Sequence, residues 1–369
     1  MSVYSKGGLQ LAVTGHYAIS PVGLDAEGTC AALRAGISRV RESDLYLPMP
    51  TGPEATEDVP LLAAMVRDLE TDIDGRDRLV ALALGALRGL IDRAQVARSE
   101  LPRTGLLVAL PAPDTATSSW NLGQTFMPSL LARAGLSELA SPHLAVDQSG
   151  NTGVLSLIGR AASLLESGTT DQCIVLGVDS YIDLDRLHAL DVAYRLKSQR
   201  GLDGFIPGEA SVALLLERIA PRVPTRRPST ARLTCPRLAS EPRPLTGDRA
   251  STGAGLATAL RGALRDLQEP GPSGWVLCDL NGESYRAFEW GLVRVRLAAQ
   301  LAERIVLQHP ADSIGDTGAA CGGLLIACAT QAFVRKYARE RAALVWTASD
   351  GGSRGALLVY PPLPPAGSS

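Results

Sequence analysis

The sequence predicts a layered α/β fold of two similar halves around two central helices. Three observations carry this. Short apolar runs alternate with helical patterns, and the alternation occurs twice along 369 residues, enough for two ordinary domains or one large duplicated unit. A Pro-, Arg- and Thr-rich stretch over 219–248 separates the two rounds. The first round contains a helix apolar around most of its circumference, and the second a Gly/Ala-rich helix of similar kind; such helices belong inside a protein.

In order, "LQLAVTG" reads as a strand, and "DAEGTCAALRAG" as a helix capped by Asp25 and closed by Gly36. "RDRLVALALGALRGLIDRA" is an apolar helix, and "TGLLVALPAP" a buried strand ended by prolines. "AVDQSGNTGVLSLIGRAASLLESG" is a polar, glycine-containing turn running into the first central helix. Strands "QCIVLGVDS" and "EASVALLLER" complete a half spanning 1–220. The connector, 219–248, is expected to contain one strand, over 231–238. A second half, 228–362, then reads helix "GAGLATALRGALRDL", strand "SGWVLCDL", helix "RAFEWGLVRVRLAAQLA" and strand "ERIVLQH". The Gly/Ala-rich helix "TGAACGGLLIACATQAFVRKYA" follows, then two strands around a glycine turn in "AALVWTASDGGSRGALLVYPP".

A formal charge of -2 offers no electrostatic case for nucleic acid or an anionic membrane. Lys6, Lys197 and Lys336 are the three lysines, which fits an Arg-rich codon bias better than a phosphate site. No signal peptide is read at the N-terminus, and no apolar stretch approaches the roughly 20 residues that span a bilayer. Cys30, Cys173, Cys235, Cys278, Cys321 and Cys328 lack metal or C-x-x-C spacing and mostly sit in apolar runs. Reduced core thiols, a cytoplasmic location, no metal and no cofactor are therefore expected.

Several segments together resemble the β-ketoacyl synthases, condensing enzymes of the thiolase fold. "VTGHYAISPVG" and "ALRAGIS" resemble the family's opening. "GVDSYIDLDRLHALDVAYRLKSQRGLDGFIPGEASVALLLE" includes its GF-x-x-GE signature at Gly204, Phe205, Gly208 and Glu209. "SIGDTGAACGG" resembles S-N-I-G-H-T-x-A-A-A-G, and "DGGSRGALLV" its closing hairpin. The resemblance covers about residues 10–360 in order and implies a thiolase-like, five-layered α-β-α-β-α architecture.

The family's catalytic residues are all replaced. Its nucleophilic Cys falls on Gly150, with Ser149 one residue before. Its first His falls on Asn281, its second on Asp316, and its Lys on Ala311. Asp350 falls near a gating Phe. Glu209 corresponds to a structural member of a charged network, while Asp279 and Glu283 are ambiguous between structure and acid chemistry. Of the histidines, His188 reads as structural, and His16 lies on no catalytic position. His143 and His309 stand in loops preceding Gly150 and Asp316.

A thiolate at a helix N-terminus takes up the acyl group in this family, and Gly150 has no side chain to do so. Asn281 can still donate a hydrogen bond to a developing enolate, but an ionised Asp316 would oppose it. Like charges at about 4 Å repel by roughly 4 kcal/mol at an effective dielectric near 20, on the order of a thousandfold in rate. Ser149 is the one candidate nucleophile, and it needs a general base; a turn or N-cap role is the simpler expectation. Substrate contacts are expected from Phe205, His143, His309 and the Asp350, Gly351 and Gly352 turn, whose N–H groups with that of Gly150 would resemble an oxyanion hole.

The first expectation is a non-condensing, chain-length-factor-like or pseudoenzyme subunit in fatty-acid- or polyketide-type biosynthesis. Its partners would be a second copy or a Cys-containing ketosynthase, with an acyl carrier protein or acyl-CoA. An atypical acyltransferase, hydrolase or decarboxylase using Ser149 is the second, and a scaffold with a closed pocket the third.

Overall fold

The computed structural model describes residues 10–46, 60–67, 69, 73–114, 116–139, 143–198, 201–220, 225–269 and 271–362. The first nine residues, read above for a leader and containing Lys6, lie outside these, as do 221–224 of the connector and the last seven residues. The two halves repeat one pairing pattern. In the first, the spatial order is Gln10–Ile19, Glu209–Arg218, Gln172–Ser180, Thr104–Ala109, Leu144–Asp147. The first two junctions are antiparallel and the last two parallel. In the second, the order is Ala231–Thr234, Ser353–Tyr360, Ala343–Ala348, Ser273–Cys278, Leu301–Gln308, again with two antiparallel junctions followed by two parallel ones. Ala231–Thr234 also pairs with Gln10–Val13, so hydrogen bonding runs unbroken from one half to the other.

Strands covered on both faces need near-continuous apolar runs, and "QCIVLGVDS" is buried along its whole length. Side chains alternate between faces with period two, and this alternation creates the layers. Val175, Val212, Leu214, Val345, Leu357 and Val359 face a central cluster shared with the helices Gly153–Glu166 and Cys321–Val334. Their neighbours Ile174, Leu176, Ala213 and Leu215 face outward to the helices Gly75–Arg93 and Leu122–Ala134. On the other side Leu344, Trp346, Ala356 and Leu358 face Ala254–Leu264 and Ser284–Arg296. The result is helices, sheet, two central helices, sheet, helices. It is the expected five-layered thiolase-like fold.

Close packing of the central helices depends on small residues. A Cβ on Gly322 would approach Leu155 Cδ1 to 2.9 Å, and one on Gly323 would approach Val212 Cβ to 3.0 Å. The carboxylate of Asp25 accepts the Gly28 N–H at 2.6 Å and caps its helix as read from sequence. Glu209 is fully buried and answers Arg78 at 2.7 Å, with Ser180 and the Val66 N–H as further donors. The single strand expected over 231–238 is instead two, Ala231–Thr234 and Arg237–Ser240. Pro236 lies between them and cannot donate to a ladder; both strands pair with Ser353–Tyr360, and the register slips by one residue at the break, from Leu233 opposite Val359 to Arg237 opposite Ala356. Sequence patterning also missed a small antiparallel pair, Arg41–Tyr46 with Pro60–Ala63, and a helical turn at Ala311–Ile314.

Candidate functional site

The strand Leu144–Asp147 delivers the chain to a 3-10 turn, Gly150–Thr152, which opens the first central helix. Asp147 holds this loop: Oδ1 accepts the Ser149 N–H and Oδ2 accepts the Ser156 hydroxyl, each at 2.7 Å. Ser349, from the closing hairpin, accepts the Thr152 N–H at 3.0 Å and donates its own hydroxyl to the Ser149 carbonyl. Gly150 sits at φ +63°, where L side chains are strained. Yet a Cβ there would lie 3.6 Å from Ala112 Cβ and 3.8 Å from Ser349 Oγ, which is ordinary contact distance. The position has room for a side chain and has none.

Ser149 is half-buried and its side chain does not cap the turn. Among the described residues, no side chain hydrogen-bonds its hydroxyl, so the general base a serine nucleophile requires is not beside it. The expected N-cap hydrogen bond is likewise not made: the cap position is right, but the Thr152 N–H that it would accept goes to Ser349 Oγ instead.

Opposite in the sequence, Asn281 and Asp316 meet. The Asn281 amide donates to Asp316 Oδ2 at 2.7 Å and to Glu283 Oε2 at 2.9 Å. An amide has two N–H groups. Both are spent inside the protein, so the expected donation from Asn281 to an enolate is not available. Asp316 Oδ1 accepts the Gly318 N–H at 2.8 Å, and its backbone pairs with 206–208, so the "GFIPGE" and "SIGDTG" motifs are neighbours.

Two arginines bind the rest into one network. Arg195 reaches Glu283 in a bidentate pair at 2.7 and 3.0 Å and Asp350 at 2.7 Å. Arg286 reaches Asp350 at 2.8 Å, and Asp279 and Glu283 at 3.3 Å each. Three carboxylates thus face two guanidiniums, and Asp316 joins them through Asn281. Burial pushes Asp279 up to about 6, against the opposing pull of Arg286 and the Ala348 N–H. Burial also raises Asp316, with Arg286 and the Gly318 N–H opposing it. Burial would raise Asp350 too, but Arg286 and Arg195 outweigh it and hold that carboxyl low. Burial thus disfavours charge on Asp279 and Asp316, while the arginines favour it on Asp350; Asp279 Oδ1 has no hydrogen-bond partner.

Several expected contacts fall elsewhere. Phe205 is fully buried against Tyr181, with ring centroids 5.0 Å apart, and offers no surface to a ligand. His143 precedes the strand whose far end carries Gly150, and its carbonyl pairs with Leu106 near the start of the neighbouring strand; it does not reach the site. His309 pairs with Asp312 at 3.1 Å in a separate cleft. The Gly352 N–H donates to the Ser349 carbonyl at 3.1 Å, which removes it from the expected oxyanion hole. Gly351 lies in the same turn and is exposed, and Asp350 is engaged by both arginines. His16 is half-buried beside Gln331 at 2.8 Å, and desolvation lowers it to about 4; His188 is exposed on the helix Leu184–Val192. Sequence reasoning missed Arg195 and Arg286. The second had a signal, standing three residues after Glu283 on one helix; the first, in an irregular loop, had none.

The fold and this geometry can be set beside known proteins. A chain of a type II PKS acyl-carrier protein in complex with its ketosynthase bound to the hexaketide superposes with TM-score 0.77, at 14% identity over 96% of this chain and 99% of that one. The ishigamide ketosynthase/chain length factor gives 0.73, at 16% identity over 96% and 99%. The oxazolomycin ketosynthase domain OzmH KS7 of Streptomyces albus JA3453 gives 0.76, at 17% identity over 97% and 76%. The chain has the ketosynthase fold. No family model matches the sequence, and no curated relative matches it. Within that fold, the expected nucleophile and histidine positions are a bare glycine and a hydrogen-bonded Asn–Asp pair. Among the described residues, no helix is long and apolar enough to cross a membrane.

Proposed function

We propose that this chain is a non-condensing, chain-length-factor-like subunit that works in the cytoplasm beside a Cys-containing ketosynthase in polyketide- or fatty-acid-type biosynthesis. One observation carries the reading: Gly150 offers no nucleophile, while Asn281 spends both amide N–H groups on Asp316 and Glu283. A condensing site needs an acyl acceptor and donors aimed at an enolate. Here the acceptor has been lost and the donors are satisfied internally, while the fold that positions them is kept. The likeness to a ketosynthase/chain length factor structure supports a paired role, and the likeness to a carrier-protein complex supports an acyl carrier protein as the molecule that visits the pair. A self-pairing of this chain, and acyl-CoA in place of the carrier, are the competing assemblies.

The test is intact mass after incubation with a panel of acyl-CoA and acyl-carrier-protein thioesters, with Ser149→Ala as control. No adduct and no thioester turnover is the expected result. A covalent acyl adduct that vanishes in Ser149→Ala would overturn the proposal and make Ser149 a nucleophile. Size-exclusion of the chain co-expressed with a Cys-containing ketosynthase should then show one heterodimeric peak; two separate homodimers would remove the paired role.

A further inference from the structure

We propose that Cys30 and Cys328 form a redox couple, closing to a disulfide between the first helix and the second central helix when the protein meets a hydroperoxide. Cys30 lies on the helix Ala26–Arg34, and Cys328 on Cys321–Val334. They are 298 residues apart in sequence, yet their sulfurs are 3.7 Å apart, with the Cys30 thiol donating to Cys328 Sγ. The other cysteines are placed differently: Cys173 shares a hydrogen bond with Thr170, and Cys278 is fully buried in a strand.

Access distinguishes this pair from an inert core contact. Both cysteines line a cleft of about 670 Å³ that also presents Arg34, Arg339, Tyr337 and His309. Arg34 stacks over the Tyr337 ring at 4.4 Å, so a cation stands over the cleft wall. Cys328 is half-buried and Cys30 only 3% exposed, so an oxidant entering the cleft reaches Cys328 first with Cys30 waiting behind it. A reactive sulfur exposed beside a resolving one is the arrangement redox-sensing thiols use.

Cys328, as thiolate, attacks the hydroperoxide ROOH; the O–O bond breaks, Cys328 becomes a sulfenic acid, and the alcohol ROH leaves with the thiol's proton. Cys30 Sγ then attacks Cys328 Sγ, and water departs carrying the sulfenic oxygen and the Cys30 proton. Two thiols are oxidised by two electrons and one hydroperoxide is reduced. The sulfurs must close from 3.7 Å to about 2.05 Å. Both belong to helices already packed together, so the movement falls on side chains. The product pins the first helix to the helix at the centre of the fold and reshapes the cleft floor.

The experiment treats the reduced full-length protein with hydrogen peroxide, followed by intact mass and non-reducing peptide mapping. The expected result is a loss of about 2 Da, reversed by dithiothreitol, with one cross-linked peptide pair containing Cys30 and Cys328. Cys328→Ser should abolish the pair, while Cys173→Ser, remote from the cleft, should retain it. Wild-type protein with Cys328 oxidised to sulfinic acid and no cross-link, or with both thiols still free after other sites oxidise, would overturn the proposal. The mapping is read on wild type, so a variant that fails to fold does not decide the outcome.

Discussion

The turns that open the two central helices are close counterparts. Each starts on a glycine at positive φ, Gly150 at +63° and Gly318 at +45°, and makes a short 3-10 turn. Each then runs into a 14-residue helix, and an aspartate just upstream accepts a loop N–H. They differ in what surrounds the glycine. Space beside Gly150 is open to 3.6 Å, whereas a Cβ on Gly318 would lie 2.0 Å from Asp179 Oδ2. Asp179 cannot easily withdraw, since it holds Arg186 at 2.6 Å and accepts the Ala319 N–H at 2.8 Å. One glycine is demanded by its neighbours, the other by backbone conformation alone. The absence of a side chain at 150 is therefore not imposed by its neighbours, and the packing around it would still admit a Cβ.

The sharpest test of that contrast is Gly318→Ala, which should cost about 4 kcal/mol or more, because the clash is with a buried, ion-paired carboxylate and the φ is unfavourable as well. Urea unfolding reads it; a loss below about 1 kcal/mol would mean Asp179 can move. Next in size, Arg286→Met leaves Asp279, Glu283 and Asp350 short of a cation beside the Asn281–Asp316 pair and should cost about 3–5 kcal/mol at pH 7. The loss should shrink at pH 5, where the freed acids can take up protons.

Asp279→Asn tests the protons held by the network. In the unfolded chain Asp279 releases its proton near its ordinary value of 3.8, but in the fold only near 6. Between those values the folded state binds more protons, so this group's contribution to stability falls as pH rises through the window and remains lower above it. The span corresponds to about 3 kcal/mol. Asp316 acts in the same direction, and Asp350, held low, in the opposite one, so the readout is wild type minus variant in urea unfolding from pH 4 to 7. The variant should lose less stability across that range than wild type by about that amount. An unchanged pH profile would place the network's proton elsewhere. Smallest of all, Gly150→Ala should cost only the backbone penalty, about 1–2 kcal/mol, because the Cβ meets nothing closer than 3.6 Å. A cost equal to that of Gly318→Ala would erase the distinction between the two turns.

Much of the architecture is legible in the sequence. Period-two and helical patterning, Asp25 as a cap, and the doubled alternation of strands and helices all depend on local sequence, and local sequence expresses them. The break at Pro236 was missed because the pattern continues across it, and both pieces stay on one partner strand; only the one-residue slip in register against Ser353–Tyr360 marks it. Gly150, Asn281 and Asp316 were located by motif position. That Asn281 has no amide N–H left to offer was not legible, since this depends on which neighbours accept its two protons.

By itself the sequence determined the layered fold, the two buried helices and the absence of a side chain at position 150, because these follow from residue type and spacing along the chain. Tertiary structure decided the rest. It brought Arg195 from an irregular loop to Glu283 and Asp350, and set Cys30 against Cys328 across nearly the whole chain. It also shifted the carboxyls of Asp279 and Asp350 in opposite directions within one network. Charge and thiol chemistry depend on distance and burial in space, and neither is a property of neighbouring residues in a sequence.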